Sequence, residues 1–162
     1  MNDQPYGTAQ RQDGRPAFAV ADIGIDDRDL RVEIFALCDG ATEHDGRLSL
    51  LGTYDVIHVS HFPVLLPLVT VVLRLRFWPQ ESRMHRFRFV LTAPDGATLA
   101  DSLDVTGQLR SVCEERSAAC NLITQFPNVR IERQGEYSFD FYLDGRLEAR
   151  LPFCICPRGI LL

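Results

Sequence analysis

Residues 38–46 read Cys-Asp-Gly-Ala-Thr-Glu-His-Asp-Gly and place Cys38, Asp39, Glu43, His44 and Asp45 close together. These side-chain types serve acid–base chemistry, nucleophilic attack and metal binding. They are accompanied by turn formers. Gly40 and Gly46 supply turn conformations, and Asp39 and Asp45 can bond their own backbone. Turn chemistry thus accounts for much of the segment with no catalytic role, and no second cluster elsewhere completes a site. The expectation is a turn between two strands, with no catalytic residues.

His58 and His61 are three positions apart, which on a strand puts them on opposite faces, so a shared metal would need a bend near Ser60 and Pro63. Cys154 and Cys156 share a strand face and with Cys113 and Cys120 could supply four thiolates. The C-x-C and C-x6-C spacings are not those of zinc knuckles, however, and alternating buried thiols on a core strand are the simpler reading. No metal and no cofactor is expected. The chain contains no Gly-rich phosphate loop, Ser nucleophile elbow or H-E-x-x-H.

The arginines are the most informative polar feature. Arg74, Arg76, Arg86 and Arg88 share parity on two alternating stretches, 69–78 and 85–93, joined by WPQESRMH. Paired as a hairpin, those stretches would put all four guanidinium groups on one outward face, with Phe77, Phe87 and Phe89 inward. Opposed like charges destabilise a strand pair, so either acidic neighbours such as Asp140, Asp101 and Asp104 compensate, or an anionic partner does.

Positioning all these residues is a chain of 162 residues, enough for one domain with a real core. Its net charge is −5, from 17 Lys+Arg against 22 Asp+Glu, and every one of those cations is arginine. A mildly acidic balance argues against bulk nucleic-acid binding. No apolar stretch approaches the roughly 20 residues of a membrane helix. The N-terminus lacks a basic region followed by an apolar run, so it does not read as a secretory signal. Five cysteines, at 38, 113, 120, 154 and 156, are an odd number and read as reduced thiols in a cytoplasmic protein.

Residues 1–29 lack periodicity over their first half and read as a tail or arm; 157–162 read as a C-terminal tail. Between them, from 30 to 156, the apolar period is two. Strands are expected at 30–38, 47–60, 69–78, 85–93, 97–109, 121–126, 137–143 and 147–155. Gly52 should mark a bulge or bend, 61–68 a connection, and 110–120 is the one stretch that could be helical. Asp144-Gly145 between alternating runs is a type I′ hairpin turn. Gly135, two residues before Tyr137 at the head of a strand, has the spacing of an immunoglobulin tyrosine corner. Phe139 stands where an antibody domain has its second Cys, so no inter-sheet disulfide is implied. The fold class is all-β: a two-sheet antiparallel β-sandwich, immunoglobulin-like, of about eight strands.

Residues 32–57 also resemble an uncharacterised prokaryotic family of unknown function. Its pattern is a strand ending in Cys-Asp (here Cys38-Asp39), then Gly-Lys/Arg-Leu (Gly46-Arg47-Leu48) and Gly-x-Phe/Tyr-Asp (Gly52 to Asp55). The likeness continues at Phe62-Pro63, in the arginine-rich strand and in GEYSFDFYLDG (135–145). It implies a β-sandwich and carries no catalytic role. The leading functional expectation is a non-catalytic interaction module that binds a protein partner or a second copy through a sheet face or edge. The alternative is an anion or small-molecule site on Arg74, Arg76, Arg86 and Arg88. A metal-dependent enzyme using 38–46 comes third.

Overall fold

The computed structural model describes residues 30–102, 104–111 and 115–159. The readings of 1–29 as an arm and of the last three residues as a tail lie outside them, as does Cys113. The described chain forms ten strands: β1 (Leu30–His44), β2 (Arg47–Tyr54), β3 (Val56–Val59), β4 (Val64–Phe77), β5 (Met84–Thr92), β6 (Thr98–Asp101), β7 (Val105–Gln108), β8 (Ala118–Ile131), β9 (Gly135–Leu143) and β10 (Arg146–Pro157). Among the described residues the only helical element is a 3-10 turn at Pro79–Glu81, and no helix is long and apolar enough to cross a membrane.

Two sheets result. One has the order β2-β1-β4-β8; the other runs β3-β10-β9-β5-β6, with β7 beside the start of β5. All pairings are antiparallel except β3 with β10. Alternation dictates which side chains meet between the sheets. Leu37, Val71, Leu73, Leu75, Phe77 and Phe126 come from the first sheet. Phe87, Phe89, Leu91, Tyr137, Phe139, Phe141, Leu143, Phe153 and Ile155 come from the second, and all are buried. Ring contacts stitch the layers: Phe126 meets Phe139 at 5.0 Å between centroids and Phe35 meets Phe89 at 6.2 Å. Each such side chain stabilises the fold by roughly 1.5–3 kcal/mol through burial.

Local turn chemistry is visible at the predicted places. Asp144 and Gly145 have φ of 52° and 83°, the left-handed pair a type I′ turn requires. The Tyr137 hydroxyl donates to the Arg133 carbonyl at 2.6 Å, the bond expected of a tyrosine corner.

Four expectations change. The stretch 47–60 is two strands in different sheets, broken at Asp55, because β2 follows β1 while β3 crosses to pair with β10. Residues 64–68 are not a connection but the first part of β4, and Pro67 is accommodated there because that part has a partner on one side only. The segment from Ala118 onward is strand β8, not helix. Finally, β4 and β5 do not form a hairpin: the 3-10 turn, with Pro79 at its first helical position, carries the chain from one sheet to the other.

Candidate functional site

The sheet assignment divides the four arginines. Arg74 and Arg76 project from β4 on the outer face of the first sheet, opposite in parity to buried Leu73 and Leu75. Arg86 and Arg88 project from β5 on the outer face of the second. They therefore lie on opposite surfaces of the sandwich and do not make one cationic face.

Each pair has its own acidic partners. Glu33, brought beside β4 by the β1–β4 register, bonds Arg74 Nε at 3.1 Å and also bonds Arg76 Nε. Arg74 Nη1 donates to Asn121 Oδ1 at 2.8 Å, Arg76 Nη1 to Ser117 Oγ at 3.1 Å, and Arg76 Nη2 to the second Glu33 oxygen at 3.3 Å. The Arg76 hydrogen bond above all holds the Glu33 carboxyl below the usual carboxylate range, against the opposing effect of burial. On the other surface Arg88 grips Asp101 with two nitrogens, one at 2.9 Å, and that bond likewise lowers the Asp101 carboxyl. Arg86 lies 3.9 Å from Asp104. Asp140, expected among these compensators, instead accepts from Arg150 Nε and Nη2 at 2.7 and 2.8 Å. Each of the four arginines thus has a carboxylate partner, the single Glu33 carboxylate being shared by Arg74 and Arg76.

Segment 38–46 is mostly strand. β1 runs to His44 and β2 starts at Arg47, leaving Asp45 and Gly46 as a tight turn with φ of 50° and 74°. Glu43 accepts from the Gly46 N–H at 2.7 Å, which closes the turn. His44 and Asp45 are exposed and face one another at 3.2 Å, whereas Cys38 is buried. The acid–base residue types of this segment therefore do not converge.

His58 and His61 also separate: His61 Nδ1 bonds Ser60 Oγ, while His58 faces Cys156 across the β3–β10 pair. Cys154 and Cys156 are not core thiols. Phe153 and Ile155 take the core positions of β10, and the two cysteines lie half-buried on the outer face, away from Cys120, which packs partly against the core. Among the described residues no group of three or more His, Cys, Asp or Glu is placed to hold a metal.

What the structure does build is a groove. The β1–β4 ladder ends at the Cys38–Thr70 pair. Beyond it, among the described residues, β1 pairs only with β2, and residues 64–69 of β4 pair only with β8. The strands part, and a groove of about 490 Å³ opens between them, lined by Asp39 and Gly52 on one wall and Leu66 and Leu68 on the other, with Val56 and His58 of β3 and Arg158 at its end. Leu68 is 47% exposed and Val56 37% exposed, so apolar surface is presented to solvent there. Gly52 is required twice. Its φ is +61°, and a Cβ at that position would overlap the Asp39 carboxylate. A second hollow, lined by Met84, His85, Arg86, Thr106 and Asp144, is polar, and its His85 is already engaged by Asp144 at 2.8 Å and by the Glu81 carbonyl at 3.0 Å.

A family model described as a family of unknown function, DUF6941, matches residues 33–156. The chain belongs to that family. No curated protein matches it. Among solved structures it is similar to Pseudomonas fluorescens alkylpurine DNA glycosylase AlkC bound to DNA containing an abasic site analog, at 9% identity and a TM-score of 0.45. That likeness covers 79% of this chain and 30% of the glycosylase chain, and it carries no argument about function.

For this DUF6941 domain, the groove was invisible to motif reading. Its wall on β4 lies where Pro63 and Pro67 suggest a connection, and its donors and acceptors are backbone groups rather than side chains. The one available signal was Gly52: its left-handed φ fits a local bend, but the β1–β2 register runs past it without a bulge, and no single segment places it opposite Asp39.

Proposed function

We propose that this DUF6941 domain is a non-catalytic binding module that accepts an extended segment of a partner protein as an added strand along residues 64–69 of β4. The observation that carries the reading is the one-sided pairing of those residues. Among the described residues, nothing pairs with their other side, and β3 is likewise the terminal strand of its sheet. An unpaired strand edge presents N–H and C=O groups at the spacing of another strand, so its natural ligand is polypeptide. Pro67 removes one donor from the edge, so bonds form at the positions around it. Leu68 and Val56 give the incoming side chains apolar surface, and Asp39 and Arg158 offer one charge of each sign. The odd cysteine number and the four described thiols, all free, support a reducing cytoplasmic setting for this role.

The test is photo-crosslinking in the native host from position 68, with position 65, exposed on the outer face of the same strand, as control. The partner so identified is then studied by amide hydrogen exchange. Protection confined to residues 64–69 and 56–59 supports strand addition. A partner that protects another face, or a concentration-dependent dimer that protects this edge with no other protein present, overturns it.

A further inference from the structure

We infer that Cys156 is a reactive thiol that undergoes reversible thiolation by low-molecular-weight disulfides, with His58 as its base. The Cys156 Sγ and His58 Nδ1 lie 3.3 Å apart, within hydrogen-bond reach for sulfur. The contact follows from the fold. The parallel β3–β10 pair sets Cys156 directly beside His58, and the burial of Phe153 and Ile155 turns the even-numbered residues of β10 outward. A thiol bonded to an imidazole on an accessible sheet face is the arrangement in which a cysteine becomes a nucleophile.

The other described cysteines contrast with it. Burial pushes the Cys38 thiol up, and the Cys120 thiol up to about 11. Cys154 is also raised, first by desolvation and then by Cys156 and by Glu136, its neighbour on β9. Among the described residues none of these three has a histidine partner. Cys154 therefore stays a neutral thiol while Cys156 reacts. Arg158 lines the same groove as His58, so a disulfide bearing carboxylates, of the glutathione type, approaches past a cation.

The step is a thiol–disulfide exchange. The Cys156 thiol gives its proton to His58 Nδ1 as the sulfur attacks one sulfur of the small disulfide. The new S–S bond forms as the old one breaks, and the departing thiolate takes the proton back from His58. One disulfide and one thiol go in, and one mixed disulfide and one small thiol come out. The inference needs only the Cys156–His58 pair and does not depend on strand addition.

The test exposes the full chain to glutathione disulfide at neutral pH and maps adducts by peptide mass spectrometry over time. Cys156 should be the first cysteine modified. A free thiol is only a few per cent ionised at neutral pH, so a base has at most about thirtyfold to add; His58→Gln should slow the modification by about tenfold while leaving the melting temperature and the rate for unfolded chain unchanged. Dithiothreitol should remove the adduct completely. First modification at Cys38, Cys113, Cys120 or Cys154 overturns the inference, a result that needs no variant. An unchanged rate at Cys156 in folded His58→Gln also overturns it.

Discussion

Asp144→Asn tests how a buried histidine is held. His85 is 1% exposed, with Nδ1 at 2.8 Å from Asp144 Oδ2 and Nε2 at 3.0 Å from the Glu81 carbonyl. The other Asp144 oxygen accepts from the Arg86 N–H at 2.9 Å. Asparagine tolerates the left-handed turn conformation and keeps an oxygen for one donor, so the turn survives while the charge is lost. A hydrogen bond to a charged group contributes about 1.5–3 kcal/mol. The Asp144 side chain is 36% exposed, so screening reduces this, and we expect about 1–2 kcal/mol. Urea denaturation at neutral pH should show a lower midpoint with an unchanged slope. Burial raises the Asp144 carboxyl, but the Arg86 N–H, His85 and the Arg83 cation outweigh it and hold the group below its usual range. A depressed carboxyl stabilises the fold fully above its unfolded value of about 3.9, and that stabilisation is lost as pH falls through the folded value. The gap between wild type and Asp144→Asn should therefore begin to narrow as pH falls below about 5 and close once pH has passed through the lowered folded value. Equal midpoints at neutral pH, or a gap that persists in acid, would refute the reasoning.

Two further changes probe the frame around the groove. Tyr137→Phe removes the 2.6 Å bond to the Arg133 carbonyl and should cost about 0.5–1.5 kcal/mol in the same urea assay, since the ring still packs against Phe153. Gly52→Ala should cost more, about 1–3 kcal/mol, because the left-handed φ and the overlap with Asp39 act together; Gly40→Ala, with open space around its Cβ, is the control expected to stay near wild type.

Much of the fold was legible in the residues alone, and for one reason. Period-two alternation states which face of a strand each side chain takes. Leu73 and Leu75 inward, Arg74 and Arg76 outward, and Phe87 and Phe89 inward all hold. Local turn chemistry is equally legible, because Asp144-Gly145 and the Gly135–Tyr137 spacing act over a few residues. Alternation does not say which strand lies alongside which. That choice is made by the whole core, over long sequence separations, so only the tertiary structure decided it. It sent β4 and β5 to different sheets and split the arginines. It carried Glu33 to Arg74 and Arg76, 41 and 43 residues away, and set His58 beside Cys156 across 98 residues. The open edge of β4 belongs to the same class. It arises where β1 leaves β4 at Thr70 to follow β2, and the absence of a neighbour is written in no single segment.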